Sequence, residues 1–473
     1  MTRGRPLRRL ARAGALALAL SGALPLAATS EPMRLAPEEA RAYATNLLRQ
    51  GQISAARALA LVLLEADPED LSALLVLTDA ELALGNPKAA ASAARRAWAV
   101  ADAPKERFLA AMGRATALAG QERYLAAQLW LRRASDLAPS PALERIVARR
   151  FKAVSAQNPL RLSFSGSITP SDNVNGGSSE TTMTSAFFGP NFVGIIPQAS
   201  QALAGWKFTA AAQADRRLSR GPNHQTTLTL RTEVTRLRFS DEVREALRDV
   251  DTDLPTLTSS ELGTTNVELR LSHQWRIDGR APVWRSSLAL SHSWLGGDDH
   301  ADTLFATFGV YLPEIGPGSL NLSLSAQARS RLDNDDYSAA IYSAHASYGL
   351  PMDSGRLTLS LGTREAFGRV DTQDYSSVLA GVHFDLGKPV FDSVKLGLGL
   401  DLEDRLYDAS NHVPGRGPMS IQSVGLSADA TLTGLSFLGF APVVTLSHER
   451  NWSNVPLYTN TQTSFSLGVR SQF

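Results

Sequence analysis

The side chains best equipped for chemistry are eight histidines, His224, His273, His292, His300, His345, His383, His412 and His448, and the run Asp298-Asp299-His300. No two of these histidines have the spacing of metal ligands on one helix or strand. The chain has no cysteine, which rules out a thiolate metal site and a disulfide framework. Gly-rich phosphate loops, carboxylate pairs at a defined spacing and a Ser-His-Asp order are also absent from the sequence. Nothing near Asp298-Asp299-His300 supplies a nucleophile with an orienting partner, so that run reads as a solvated loop. His273, His292 and His448 fall on the apolar parity of alternating segments, near their ends, where packing at an interface is the expected role. No catalysis and no cofactor is expected.

The remaining charges become informative once the segments that carry them are set out. After Asn158-Pro159 the chain is rich in Ser, Thr, Gly and Leu and alternates with a period of two, the signature of strands with one apolar and one polar face. Fourteen such strands begin near Leu160, Leu203, Gln225, Gly263, Pro282, Asp302, Gly318, Tyr337, Gly355, Asp374, Phe391, Met419, Leu438 and Asn460. Leu320, Leu322 and Leu324 alternate with Asn321, Ser323 and Ser325; Leu396, Leu398, Leu400 and Leu402 alternate with Gly397, Gly399, Asp401 and Glu403. An even number of strands, apolar outside and polar inside, predicts an antiparallel 14-stranded transmembrane β-barrel over residues 159–473. Short Gly- or Pro-rich turns, such as Pro351 to Gly355, alternate with long polar connections, such as 170–202, 240–262 and 407–418. That asymmetry predicts periplasmic turns opposite external loops.

In this register Arg231, Glu233, Glu268, Arg270, Arg285, Arg329, Arg331, Arg356, Arg364, Lys395, Asp401, Glu403, Arg405 and Arg470 point into the lumen or its rims. Ion pairs across neighbouring strands are their expected structural role. Trp206, Trp275, Trp284 and Trp294 take the outward parity near strand ends. Trp284 and Trp294 are ten residues apart, roughly 25 Å along the membrane normal, which suits two interfacial girdles. Phe473 closes an outward row and resembles the terminal aromatic residue read by the barrel-assembly machinery.

Before the strands lies a different composition. Arg3, Arg5, Arg8, Arg9 and Arg12, an apolar run from Ala13 to Leu26 and small residues near Ala28 form the plan of a secretory signal over residues 1–30. From 36 to 158 the chain is rich in Ala, Leu, Arg and Glu with a helical period. Gly51, Gly85 and Gly120, and likewise Asp67, Asp102 and Asp136, recur about every 34 residues, the period of the tetratricopeptide repeat. Three helical hairpins and a capping helix over 140–157 are predicted, with Leu47, Leu48, Leu59, Val62, Leu63, Leu75, Leu82, Trp98, Leu118 and Trp130 in their core. Such a solenoid offers a concave surface to a polypeptide. The 47 Lys and Arg nearly balance the 46 Asp and Glu, which argues against nucleic acid as a partner.

A short tetratricopeptide domain joined to a fourteen-stranded barrel resembles the surface lipoprotein assembly modifier family. The resemblance extends to Ser167-Ile168-Thr169-Pro170-Ser171-Asp172-Asn173-Val174-Asn175 after the first strand. It also extends to Ser447-His448-Glu449-Arg450-Asn451-Trp452-Ser453-Asn454-Val455-Pro456-Leu457-Tyr458 before the last. It implies an outer-membrane location, a periplasmic helical domain, and the movement of lipoproteins, or related soluble secreted proteins, from the periplasm to the cell surface. A tetratricopeptide-barrel exporter of polysaccharide and a passive porin are the alternatives.

Overall fold

The computed structural model describes residues 35–184, 193–248, 256–277, 281–391, 393–408 and 418–471. The expected signal and Phe473 lie outside these residues. The described chain forms a helical domain followed by a closed antiparallel barrel of fourteen strands.

The helical domain contains α1 (Pro37–Arg49), α2 (Ile53–Ala66), α3 (Leu71–Ala83), α4 (Pro87–Val100), α5 (Pro104–Gly120), α6 (Tyr124–Asp136) and α7 (Pro141–Gln157). Proline opens α1, α4, α5 and α7, where its missing N–H costs no helical bond. Asp70 caps α3 through the Ala73 amide at 3.0 Å, and Glu106 folds back to accept from the Ala103 amide at 3.1 Å. Gly51 and Gly85 turn out of α1 and α3 with φ of +77° and +75°. The third hairpin departs from the expected repeat. There the left-handed residue is Glu122, while Gly120 remains helical and lies against Pro87 of the preceding hairpin.

Small side chains let these helices approach closely: Ala44, Ala56, Ala60, Ala94, Ala97, Ala110 and Ala117 are fully buried. Leu47, Leu63 and Leu118 are also buried, and Leu48, Leu59, Leu75, Trp98 and Trp130 pack onto the same clusters. Val62 does not join them, since it lies on the outer face of α2 and is 59% exposed. Two ion pairs tie the hairpins together, Arg41–Asp70 and Arg57–Glu81, both at 2.6 Å with the carboxylate buried.

The barrel strands are β1 (Leu160–Ser171), β2 (Gly205–Arg220), β3 (His224–Phe239), β4 (Thr264–Arg276), β5 (Val283–Leu295), β6 (Asp298–Ile315) and β7 (Gly318–Arg331). They continue as β8 (Ala339–Met352), β9 (Gly355–Gly368), β10 (Tyr375–Leu386), β11 (Val394–Tyr407), β12 (Ser420–Leu432), β13 (Phe440–Ser453) and β14 (Asn460–Ser471). Each pairs with its sequence neighbours, and β14 closes on β1. The strand count and the alternation match the sequence reading. Leu324, Leu361, Leu398, Leu402, Leu446, Phe465 and Leu467 are all exposed on the outer wall. A continuous apolar exterior on a sheet without free edges is the form that satisfies the backbone inside lipid.

Two connections at the long-loop end differ from expectation. Gly296 and Gly297, with φ of +65° and +109°, join β5 to β6 in a two-residue turn, so Asp298, Asp299 and His300 belong to a strand. The loop after β3 contains an unforeseen helix, α8 (Asp241–Arg248). Its Leu247 packs with Leu203 and Phe239 at the barrel rim.

The outward register makes a direct prediction. Leu322→Arg or Leu398→Arg places a cation against hydrocarbon at a cost of about 2–4 kcal/mol, whereas Ser323→Arg enters a wet lumen. Heat-modifiable gel mobility will show impaired assembly for the first two variants and normal assembly for the third.

Candidate functional site

The inner wall carries its charges in short chains. Arg231 reaches Glu233 at 2.5 Å, Arg270 holds Glu268 through bonds of 2.8 and 3.0 Å, and Arg405 holds Glu403 at 2.8 Å. All three pairs lie two residues apart on one strand, not across neighbouring strands as the sequence suggested. Residues i and i+2 share a face ~7 Å apart, a gap that Arg and Glu span together. Arg231 thus turns to Glu233 although Glu268 is its register partner on β4. Longer contacts skip a strand: Arg364 approaches Glu403 at 3.6 Å and Arg470 approaches Asp429 at 3.7 Å.

The other predicted lumen residues are distributed along the wall. Arg356 donates to Ser319 Oγ at 3.0 Å, and Arg331 pairs with Asp333 at 2.7 Å beside His300. The Asp333 carboxyl is held well below its usual range, first by the Arg331 hydrogen bond. Arg285 lies over the Tyr311 ring at 5.4 Å. Both line a cleft of about 670 Å³ with Arg220, His224 and Arg276, at the short-turn end. Arg329, Lys395 and Asp401 continue the polar parity on β7 and β11.

The outward residues gather at the two ends of the wall. Trp275 and Trp284 face each other across β4 and β5 near the short turns, and His273 stacks on Trp275 at 5.4 Å. At the long-loop end stand Trp206, Trp294 and Trp452, the last with Arg450 over its ring at 4.9 Å. His292 touches Trp294 at 4.2 Å and also bonds Asp302 at 2.7 Å and Asp299 at 3.1 Å, so its role exceeds packing. A register break between Ser293 and Trp294 turns Asp299 to His292, while His300 bonds Asp333 at 2.9 Å. The Asp298-Asp299-His300 run is therefore split between two partners. Among the described residues no three His, Asp or Glu side chains are placed to hold a metal ion.

Sequence reasoning missed how the helical domain is fixed to the barrel. Arg132 of α6 donates to the carbonyls of Leu438 and Gly439 at 3.0 and 3.3 Å and to Ser471 Oγ at 2.9 Å, and lies over the Phe440 ring at 4.5 Å. Asp136, one turn later, accepts from the Leu438 amide at 2.7 Å. On the other side the C-terminal carbonyls of α7 meet two arginines of β2. Arg217 reaches Ala156 O and Gln157 O at 2.9 and 3.0 Å, and Arg220 reaches Ala156 O at 2.9 Å. Cations at the negative end of a helix satisfy its free carbonyls and its dipole together. Burial pushes the Arg132 guanidinium down from its ordinary pKa, as expected for a charge wedged between two domains.

One signal for this surface was present in the sequence. Between Pro87 and Asn158 there are thirteen Lys and Arg against five Asp and Glu, whereas between Ala36 and Asn86 there are three against eight. The basic half is the half next to the barrel. There Arg114 and Arg133 flank Trp130 at 4.7 and 4.6 Å, and Arg114 is pushed down by burial and by Arg95, Arg123 and Arg133. In the acidic half Asp79 is accessible to solvent but crowded by protein. Burial raises its pKa, and Arg150 partly offsets this.

No family model matches this chain, and no curated protein matches it in sequence. Among solved structures it is similar to the type III secretion translocator chaperone SycD of Yersinia enterocolitica, at 19% identity and a TM-score of 0.24, over 25% of this chain and 83% of that one. It is also similar to OccAB3 of Acinetobacter baumannii, at 10% identity and a TM-score of 0.35, over 65% and 98% of the two chains. CdiB of Acinetobacter baumannii matches at 12% identity and a TM-score of 0.32, over 65% and 60%.

Two predictions follow from these contacts. Arg132→Ala with Asp136→Ala removes one side of the attachment, so limited proteolysis will cut the link at Gln157-Asn158-Pro159 severalfold faster than in the parent. Because the Asp79 pKa is raised, the folded state holds more protons than the unfolded one just above the ordinary aspartate range, and stability falls as pH rises through that window. Asp79→Asn will therefore raise the melting temperature of the helical circular-dichroism signal at neutral pH and leave it unchanged below the aspartate range.

Proposed function

We propose that this protein moves polypeptides, lipoproteins in particular, from the periplasm across the outer membrane to the cell surface. The observation that carries the reading is the two-sided attachment of α6 and α7 to the short-turn rim of the barrel. It holds a solenoid, an architecture suited to binding chains, beside a lumen whose wall is polar and charged. The short-turn end, and with it the helical domain, faces the periplasm, as is usual for such barrels.

Each part supplies what the other lacks. A solenoid has no means of crossing a bilayer, and a polar lumen offers a route with little selectivity. Fixing one to the other turns capture into a local event at high effective concentration. The basic half of the solenoid lies nearest the mouth, so a captured segment meets positive charge before it meets the lumen. The first of the two stretches that resemble the surface lipoprotein assembly modifier family leads toward the second. Ser178 Oγ, just beyond the first, donates to Pro456 O of the second at 2.7 Å. In this reading the lumen-facing arginines and carboxylates stiffen and hydrate the wall, the tryptophans seat it against outer-membrane lipid, and Phe473 addresses it to the barrel-assembly machinery. No bond-making step is assigned: His292 and His300 are held by carboxylates, and His273 and His448 by the hydroxyls of Thr226 and Thr463.

A barrel-only variant beginning at Leu160 tests the division of labour. It will insert in the membrane yet display much less of a cognate lipoprotein, measured by surface labelling normalised to barrel abundance. Supplying residues 36–157 as a separate chain will restore display only in part, because the attachment of α7 through the link is lost. Full display by the barrel alone would move recognition to the lumen or loops and end the role given to the helical domain.

A further inference from the structure

The ion pairs along the inner wall leave one stretch of it uncompensated. At the short-turn end Arg220 of β2 stands opposite Gln225 of β3, Gln225 opposite Gln274 of β4, and Gln274 opposite Arg285 of β5. Arg276 lies two residues beyond Gln274 and so shares its face. It stands opposite Val283, which is itself opposite Tyr311 of β6. These residues take the lumen parity and line the cleft of about 670 Å³ at the mouth, with His224 and Trp275 of the other parity at its lip. No Asp or Glu is among the lining residues. Deeper on the same strands Glu268 holds Arg270, Glu233 holds Arg231, and Asp215 accepts from Thr229 at 2.7 Å. Arg276 and Arg285, by contrast, form no ion pair with a described residue. The turn after β4 carries one charge of each sign, Asp278 and Arg280, outside the described residues.

Backbone contacts hold the cleft in shape. The Arg276 amide donates to Asn223 O at 2.8 Å, and the Gly221 amide donates to His224 O at 2.9 Å, which pins the turn between β2 and β3 to the end of β4. The His224 ring lies so close over Gly221 that a β-carbon there would come within 2.4 Å of it and push the ring off the lip. On the helical side Arg220 also donates to Ala156 O at 2.9 Å, so α7 ends at the cleft. That helix exposes Arg145, Arg149 and Lys152 at successive turns. Positive charge therefore continues from the solenoid to the inner face of the barrel.

We propose that this cleft receives the side-chain carboxylates of an extended, acidic segment of polypeptide at the periplasmic mouth. The inference rests on the transport reading above and names a chemistry for the part of the cargo that enters there. Guanidinium groups grip carboxylates through paired N–H donors, and the amides of Gln225 and Gln274 add further donors between them. Diagonal neighbours on adjacent strands, as Arg276 and Arg285 are, lie about 7–8 Å apart. Alternate positions of an extended chain share a face and repeat about every 7 Å. Acidic residues at alternate positions thus match the step between these two arginines. Arg220, three strand spacings or about 14 Å from Arg285, takes a carboxylate four residues away. A simple dicarboxylate is too short to bridge Arg220 and Arg285.

The first test needs no cargo. The probe is a rhodamine-labelled nine-residue peptide of serine with glutamate at every second position, bound to the full-length protein in non-ionic detergent and read by fluorescence anisotropy. The parent protein will bind it at least tenfold more tightly than the same peptide with glutamine in place of glutamate. Arg276→Gln with Arg285→Gln will weaken binding at least tenfold, whereas Arg356→Gln, at the same end of the opposite wall, will leave it unchanged. Succinate at equal carboxylate concentration will compete at least tenfold less well than the unlabelled peptide. Equal binding of the two peptides, indifference to the paired substitution, or an equal loss with Arg356→Gln overturns the site. Competition by succinate as strong as by the peptide overturns the polypeptide as its ligand.

The second test is made in cells, with a lipoprotein whose surface display is lost when this protein is deleted. Arg276→Gln with Arg285→Gln will lower that display at least fivefold, normalised to barrel abundance. Undiminished display beside lost peptide binding overturns a part for the cleft in transport. If no lipoprotein depends on the protein at all, the transport reading falls, while the peptide measurement still decides whether the cleft binds acidic chain.

Discussion

A peptide group inside hydrocarbon must find its hydrogen-bond partner within the protein, because lipid offers none. The architecture here follows from that constraint. Closing fourteen strands on themselves removes the sheet edges, and alternation then sends Leu322, Leu398 and Phe465 to lipid and Ser323, Glu403 and Ser464 to the lumen.

The helical domain obeys different physics and joins the barrel by different means. Its stability comes from Ala-lined contacts that bring helices close, supported by two ion pairs with buried carboxylates, Asp70 and Glu81. A buried carboxylate without its arginine would be strongly destabilising, so these pairs fix how successive hairpins stack. Among the described residues the junction is held by polar contacts. It depends on charged side chains that reach main-chain carbonyls, with Arg132 against Leu438 and Gly439, and Arg217 and Arg220 against the end of α7.

Much of this was readable in the sequence because two periods were clean. A period of two placed all fourteen barrel strands near their observed starts, and a period near 34 placed seven helices. What was misread turned on features with no periodic trace. Gly120 has the right spacing for a turn glycine, but the longer α5 carries it into the helix and leaves Glu122 to make the turn. Asp298-Asp299-His300 looks like loop composition, yet two glycines suffice to reverse the chain before it. Arg231 and Glu233 are two residues apart in any strand, and only coordinates show that they choose each other over the neighbouring strand.

The contact between Arg132 and Ser471 joins residues 339 positions apart. Its partners lie on the domain that comes first in the chain and on the strand that completes the barrel. Arg132 can therefore find Ser471 only after β14 has reached its place beside β1 and β13. Docking of the solenoid thus reports in its geometry that the cylinder is complete. A sheet that lacks β14 holds the solenoid only through Arg217 and Arg220 at the end of α7, so the two-sided attachment is complete only when the cylinder is.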